Sequence, residues 1–259
     1  MNGCAGRLPA LDDRGGDMTS DNLYRAPDAD LALPAEPAPP PVDVRRFQPF
    51  QLAHLRDLFF RPSRFFAPDV RPGPAWAVSL ACWLMGISYV IDRIDIKMMQ
   101  ADVAGTHRNP LTEKLVASWD AYWAALLIGG MLAGAMIWFV GGWWYRLRLR
   151  WSGAVAPDAR EARLAYVFAG LVFCLPALIV TLLLTLRFES YAAAWSAEPL
   201  DGLLLPVFMV WSCATGWLAA RTKFGVTGPL PLLLFLILPV LVYMAAIGGF
   251  AYIYYRFAG

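Results

Sequence analysis

AYWAALLIGGMLAGAMIWFVGGWWYRLRLR, residues 121–150, decides the fold. From 121 to 140 the stretch carries no charge. At about 1.5 Å rise per residue, a helix of that length crosses a hydrocarbon layer of roughly 30 Å. The aromatics Trp143, Trp144 and Tyr145 follow Gly141 and Gly142, and Arg146, Arg148 and Arg150 come next on alternate positions. That order predicts a water interface and then a basic cytoplasmic loop, its arginines set against lipid headgroups. Within the span, Gly130 and Gly134 form a small-xxx-small pair flanked by Gly129, Ala133 and Ala135, which lets another helix approach closely.

The rest of the composition fits a chain solvated by lipid. Of its 259 residues, 58% are hydrophobic and only 16% charged, with a mean hydropathy of +0.48, a balance foreign to soluble domains of this length. The formal net charge of +2 comes with no basic stripe interleaved with aromatics, so no nucleic-acid partner is expected. Of the four cysteines, Cys82, Cys174 and Cys213 lie in apolar runs and Cys4 in a polar tail. None has metal-ligand spacing, and they read as packing residues rather than disulfides. No charged-then-apolar leader opens the chain, whose first continuous apolar run begins near Pro74.

Toward the N-terminus, residues 1–44 are rich in Ala, Pro, Asp and Arg and predict a disordered cytoplasmic arm, with Met18 an alternative start. Residues 45–70 mix Phe47, Phe50, Leu52, Leu55, Leu58, Phe65 and Phe66 with Arg45, Arg46, Arg56, Arg61 and Arg64. This segment is too charged to span. It is expected as an amphipathic helix in the headgroup layer, Arg61 and Arg64 facing anionic lipid, with docking on a partner helix as the other reading.

Residues 71–259 then predict an all-α bundle of five spans, at about 75–91, 121–145, 164–186, 202–220 and 230–255. The loop after the first span holds Asn109-Pro110 as a turn signal, and Pro157-Asp158 opens the third helix. Tyr191 and Trp195 suit an outer interface. Gly248 and Gly249 in the last span are expected, like Gly130 and Gly134, to serve helix packing. Lys and Arg concentrate in residues 45–71, 146–163 and 221–223, which places the N-terminus in the cytoplasm and the C-terminus outside.

Catalytic groups are hard to find. No Asp, Glu, Lys, Arg or His stands near the middle of an expected span, which argues against ion-coupled transport. His54 and His107 have no second ligand beside them, and the acidic set Asp92, Asp95, Asp102, Glu113 and Asp120 is interleaved with Arg93, Lys97, Arg108 and Lys114. No cofactor or metal site is expected. Ser88, Tyr89, Thr181, Thr185 and Ser212 could line a pore but are read as bonding to helix carbonyls. Pro176, Pro206 and Pro239 each remove a backbone donor inside a span and predict kinks covered by neighbouring helices.

The order of RDLFFRPSRFF (residues 56–66), GGWWYRLRLRWSG (141–153), DAREARLAYVFAG (158–170) and FGVTGPLPLLLFLILP (224–239) resembles the bacterial branch of the Yip family, the Ypt/Rab-interacting multispanning proteins. The resemblance implies a five-span bundle with a cytoplasmic arm and short external C-terminus, and no catalytic residue. Relatives in eukaryotes meet small GTPases through a DLYGP-type sequence. Here DNLYRAP (21–27) lacks the glycine and carries an insertion, so the GTPase partner is not carried over.

The expected function is therefore a non-enzymatic inner-membrane scaffold or accessory subunit that meets lipids and other membrane proteins, or itself. A passive transporter or channel for a small neutral or apolar solute stays open, as does a lipid-modifying enzyme.

Overall fold

In the computed structural model, the described residues are 45–46, 51–67, 70–71, 73–105, 109–197 and 205–258. Their regular structure is helical apart from a two-residue parallel pairing of Arg45–Arg46 (β1) with Val70–Arg71 (β2). The expected disordered arm, 1–44, lies outside the described residues, as does His107.

The segment expected as one amphipathic helix is broken by Pro62 into α1, Leu52–Phe60, and α2, Pro62–Phe65. Proline donates no N–H and disfavours helix at the residue before it, and Arg61 sits at φ −140°, ψ 55°. Leu58, Phe65 and Phe66 are buried, while Leu52 and Phe60 stay exposed. The Phe65 ring meets Phe168 edge-on at 5.7 Å, and the Trp211 indole donates to the Phe59 carbonyl at 2.7 Å. The segment thus docks on helices of its own chain.

α3, Ala75–Ala104, runs past the residue-91 end expected from hydropathy. Asp92, Arg93 and Asp95 end the apolar run, but charge does not stop a helix. Neither Gly nor Pro intervenes between Asp92 and Gly105, whose φ of 57° supplies the left-handed cap. α4, Pro110–Val116, starts where the Asn109 side chain accepts the Leu111 N–H at 2.9 Å.

α5, Trp119–Met136, is capped by Ser118 and continues through a π turn, Ile137–Gly141, into α6, Gly142–Trp151. The basic loop expected from residue 146 is therefore helix as far as Trp151. This changes where the arginines point, because residues two apart on a helix lie on nearly opposite sides.

α7, Ala159–Arg187, opens on an N-cap in which the Asp158 carboxylate accepts the Glu161 N–H at 2.8 Å, and it holds Pro176 within its length. α8, Tyr191–Ser196, is capped by Ser190. α9, Leu205–Phe224, has Pro206 as the second of its described residues, so that proline stands in the first turn of the described helix, where no intrahelical N–H is required. α10, Pro229–Leu232, passes through a second π turn, Leu233–Ile237, into α11, Leu238–Ala258.

Four helical stretches are long and apolar enough to cross a membrane: Ala75–Ala104, Trp119–Trp151, Ala159–Arg187 and Pro229–Ala246. This is the architecture of a transmembrane protein. α9, expected as the fourth of five crossings, falls short of that combination of length and apolarity. Its described residues include Ser212, Thr215, Arg221 and Lys223, and the leucine-rich start of the expected span, 202–204, lies outside the described residues.

Helix pairing follows the small residues. α3 lies along α5, and α7 packs against α3, α6 and α9. The shared core includes Tyr122, Leu126, Tyr145, Leu149, Val167, Val172, Ala219 and Phe235. Pro229–Ala246 is the least buried of the four candidate spans.

Candidate functional site

Three arrangements concentrate the polar and close-packed groups of the bundle. The first is the α3–α5 seam. A Cβ on Gly130 would stand 2.6 Å from Ile87 Cγ1, and one on Gly134 would stand 2.6 Å from the Cys82 carbonyl oxygen. Opposite them is Gly86, where a Cβ would fall inside the Gly130 carbonyl. The glycine face is therefore filled by α3 of the same chain, rather than left for a partner. The Trp83 indole locks the seam by donating to the Leu127 carbonyl at 2.9 Å. Gly141 and Gly142 allow a similar close approach further along, against Tyr166 and Arg163 of α7. By contrast, a Cβ on Gly248 or Gly249 would meet nothing within 4 Å, so the described structure gives these two no packing partner.

The second arrangement is an aromatic nest around Asp95. Tyr191 of α8 donates its hydroxyl to the Asp95 carboxylate, and its ring stacks on Tyr122 at 4.4 Å. Trp119 meets both rings edge-on, at 5.4 and 5.8 Å. Burial, with Asp95 beside it, raises the Tyr191 phenol pKa well above the ordinary tyrosine range, so this hydroxyl keeps its proton and remains a donor. The Trp195 indole donates to Asp102 at 2.6 Å, and the Trp119 indole to the Phe188 carbonyl at 2.7 Å. Tyr191 is thus buried at a helix junction, where sequence placed it at a water interface. Asp92 pairs with its neighbour Arg93 at 3.0 Å. Among the described residues no three His, Cys, Asp or Glu gather as a metal site.

The third arrangement surrounds Arg148, expected as one tooth of an exposed comb. The helix separates the three arginines. Arg150 is exposed, Arg146 is half-buried with Nε donating to the Pro157 carbonyl at 2.8 Å, and Arg148 is buried at 8% exposure. The Arg148 guanidinium lies over Phe235 at 4.7 Å, Tyr145 at 5.5 Å and Trp144 at 5.9 Å. Its Nη1 donates to the Leu234 carbonyl at 3.2 Å.

That carbonyl needs a donor for a local reason. In the π turn the Leu238 N–H goes to Leu233, and the next residue in register is Pro239, which has no N–H to give Leu234. Burying a charge costs several kcal/mol, and cation–π contacts of about 0.5–2 kcal/mol each offset a fraction of it. Tyr145 completes the box by donating to the Gly216 carbonyl at 2.8 Å.

Arg61 is exposed and Arg64 Nε lies 3.6 Å from Asp57, at the edge of the docked α1–α2 segment. Of the polar residues read as carbonyl-bonded, Thr181 bonds to Ala177, Thr185 to Thr181, and Ser212 across to Ala169 at 2.9 Å. Gly86, Asp95 with Tyr191, and the burial of Arg148 escaped the sequence reading. Helical spacing would have exposed the last, since a helix carried past Tyr145 cannot turn all three arginines to water.

No known protein family, curated protein or solved structure matches the chain.

Proposed function

We propose that the chain is a non-enzymatic integral membrane protein of the Yip type, a scaffold or accessory subunit of a bacterial inner-membrane assembly. It crosses five times, with α9 as the fourth crossing, the N-terminus in the cytoplasm and the C-terminus in the periplasm.

One observation carries this reading. Most of the hydrogen-bonding polar side chains between the helices have their partners within the chain: Asp95 with Tyr191, Trp83 with Leu127, Tyr145 with Gly216, Ser212 with Ala169 and one N–H of Arg148 with Leu234, while Thr215 Oγ1 and Arg148 Nε stay buried without one. What the described chain offers outward is apolar surface, Ile128, Met131 and Leu132 on α5 and Leu241, Val242 and Met244 on α11. Such a division suits adhesion between membrane helices better than turnover of a polar substrate. The basic count supports the orientation: Arg150, Arg160, Arg163, Arg221 and Lys223 share the end where α6, α7 and α9 meet.

The test is gentle purification from native membranes into nanodiscs, with wild type beside Leu241→Asn/Val242→Asn. The expected result is a companion protein in fixed ratio that the double substitution removes. Recovery of the chain alone, together with Leu241-independent solute flux in reconstituted liposomes, would favour the channel reading instead.

A further inference from the structure

Arg148 is a cation that the bundle buries without supplying an anion. Its residue exposure is 8%, and among the described residues no carboxylate lies within ion-pair reach of it. The acids at this end are engaged elsewhere, Asp158 in capping α7 and Glu161 in pairing with Lys223 at 3.3 Å. The Leu234 carbonyl accounts for one N–H of the guanidinium. It does not account for the charge, since a neutral donor would satisfy a carbonyl at far lower desolvation cost. The Nε–H is buried and has no partner. That nitrogen belongs to the side-on fork with which arginine takes two oxygens of a phosphate.

The surroundings name the source of such a group. Trp143, Trp144 and Trp151 are exposed along α6, with Arg150 exposed beside them, which is the composition of a membrane interface at headgroup depth. Trp144 joins the exposed belt to the buried box, touching Trp151 edge-on at 5.5 Å and lying under the Arg148 guanidinium. The cover over Arg148 is the stretch holding Leu234 and Phe235, within the least buried candidate span, with Leu230, Leu233 and Ile237 exposed along it.

We propose that Arg148 is the core of a lipid-phosphate site at the seam between α6 and the Leu233–Ile237 turn, taking a phospholipid of net negative charge through its Nε side. The preference for anionic over zwitterionic lipid follows from the missing acid, because among the described residues no carboxylate lies within ion-pair reach of Arg148 to balance its charge. The inference needs only that α6 ends at headgroup depth and is independent of any partner protein, so lipid retention and partner capture fail separately.

The test is lipid retention by the full chain in nanodiscs of equal phosphatidylglycerol and phosphatidylcholine, measured by native mass spectrometry. Wild type should retain phosphatidylglycerol preferentially. Arg148→Gln should lower that retention about tenfold, the scale of one lost charge-assisted fork, while the surface control Arg150→Gln changes it less than about twofold.

Pro239→Ala keeps the test informative if Arg148→Gln does not fold. It gives Leu234 a backbone donor, frees Nη1, and should raise retention a few-fold. No preference in wild type, or retention unmoved by both Arg148→Gln and Pro239→Ala, would overturn the site. So would an Arg148-dependent stabilisation by inorganic phosphate in pure phosphatidylcholine without phosphatidylglycerol enrichment, which would make a free anion the ligand.

Discussion

Gly86 of α3 faces the backbone carbonyl of Gly130 on α5 so closely that no methyl group fits between them. Backbone, unlike a side-chain tip, cannot swing aside. Gly86→Ala should therefore force the helices apart and destabilise the bundle by about 1–3 kcal/mol or more, the cost of overpacking. Gly248→Ala, with open space around it, should be neutral or stabilising by about 0.5–1 kcal/mol through helix propensity. Detergent-titrated unfolding followed by circular dichroism distinguishes the two, and equal effects would contradict the seam.

Tyr191 ties the short helix α8 to Asp95 of α3. Tyr191→Phe should cost about 1–3 kcal/mol, because the carboxylate loses a donor in a half-buried place. Asp95→Asn should cost less when added to Tyr191→Phe than when made alone, giving a coupling of about 0.5–3 kcal/mol in a double-mutant cycle. Additive losses would mean that the two side chains do not act together.

Tyr145 joins α6 to α9 through the Gly216 carbonyl, at full burial. Tyr145→Phe keeps the ring beside Arg148 and Phe235 but removes the hydroxyl that donates to that carbonyl. It should lower stability by about 1–2 kcal/mol while leaving lipid retention at Arg148 in place. Loss of retention in this variant would tie the hydroxyl itself to the anion site.

The helical, lipid-facing character of the chain was legible because apolar runs near twenty residues long have few other readings. Helix ends were less so. Hydropathy marks where lipid stops, whereas a helix stops where caps, glycine or proline intervene, and α3 and α6 both outrun their apolar stretches. The Gly130/Gly134 face was visible, but not that Gly86, alone in MGISY, is its counterpart, because pairing of helices distant in sequence leaves no periodic trace. Arg148 was misplaced for a related reason: alternate spacing reads as a comb only on extended chain, and on a helix it divides into separate faces.

The proposed topology rests most heavily on α9 being a crossing, because only then do the basic ends of α6, α7 and α9 share the cytoplasmic side while the Asp95 nest faces the periplasm. Single cysteines at Ser196 and Thr227, both exposed and on either side of α9, can be labelled in intact cells with a membrane-impermeant maleimide and compared with the wild-type background. Ser196→Cys should be labelled from outside and Thr227→Cys only after permeabilisation. Labelling of both from the same side would contradict the five-span arrangement.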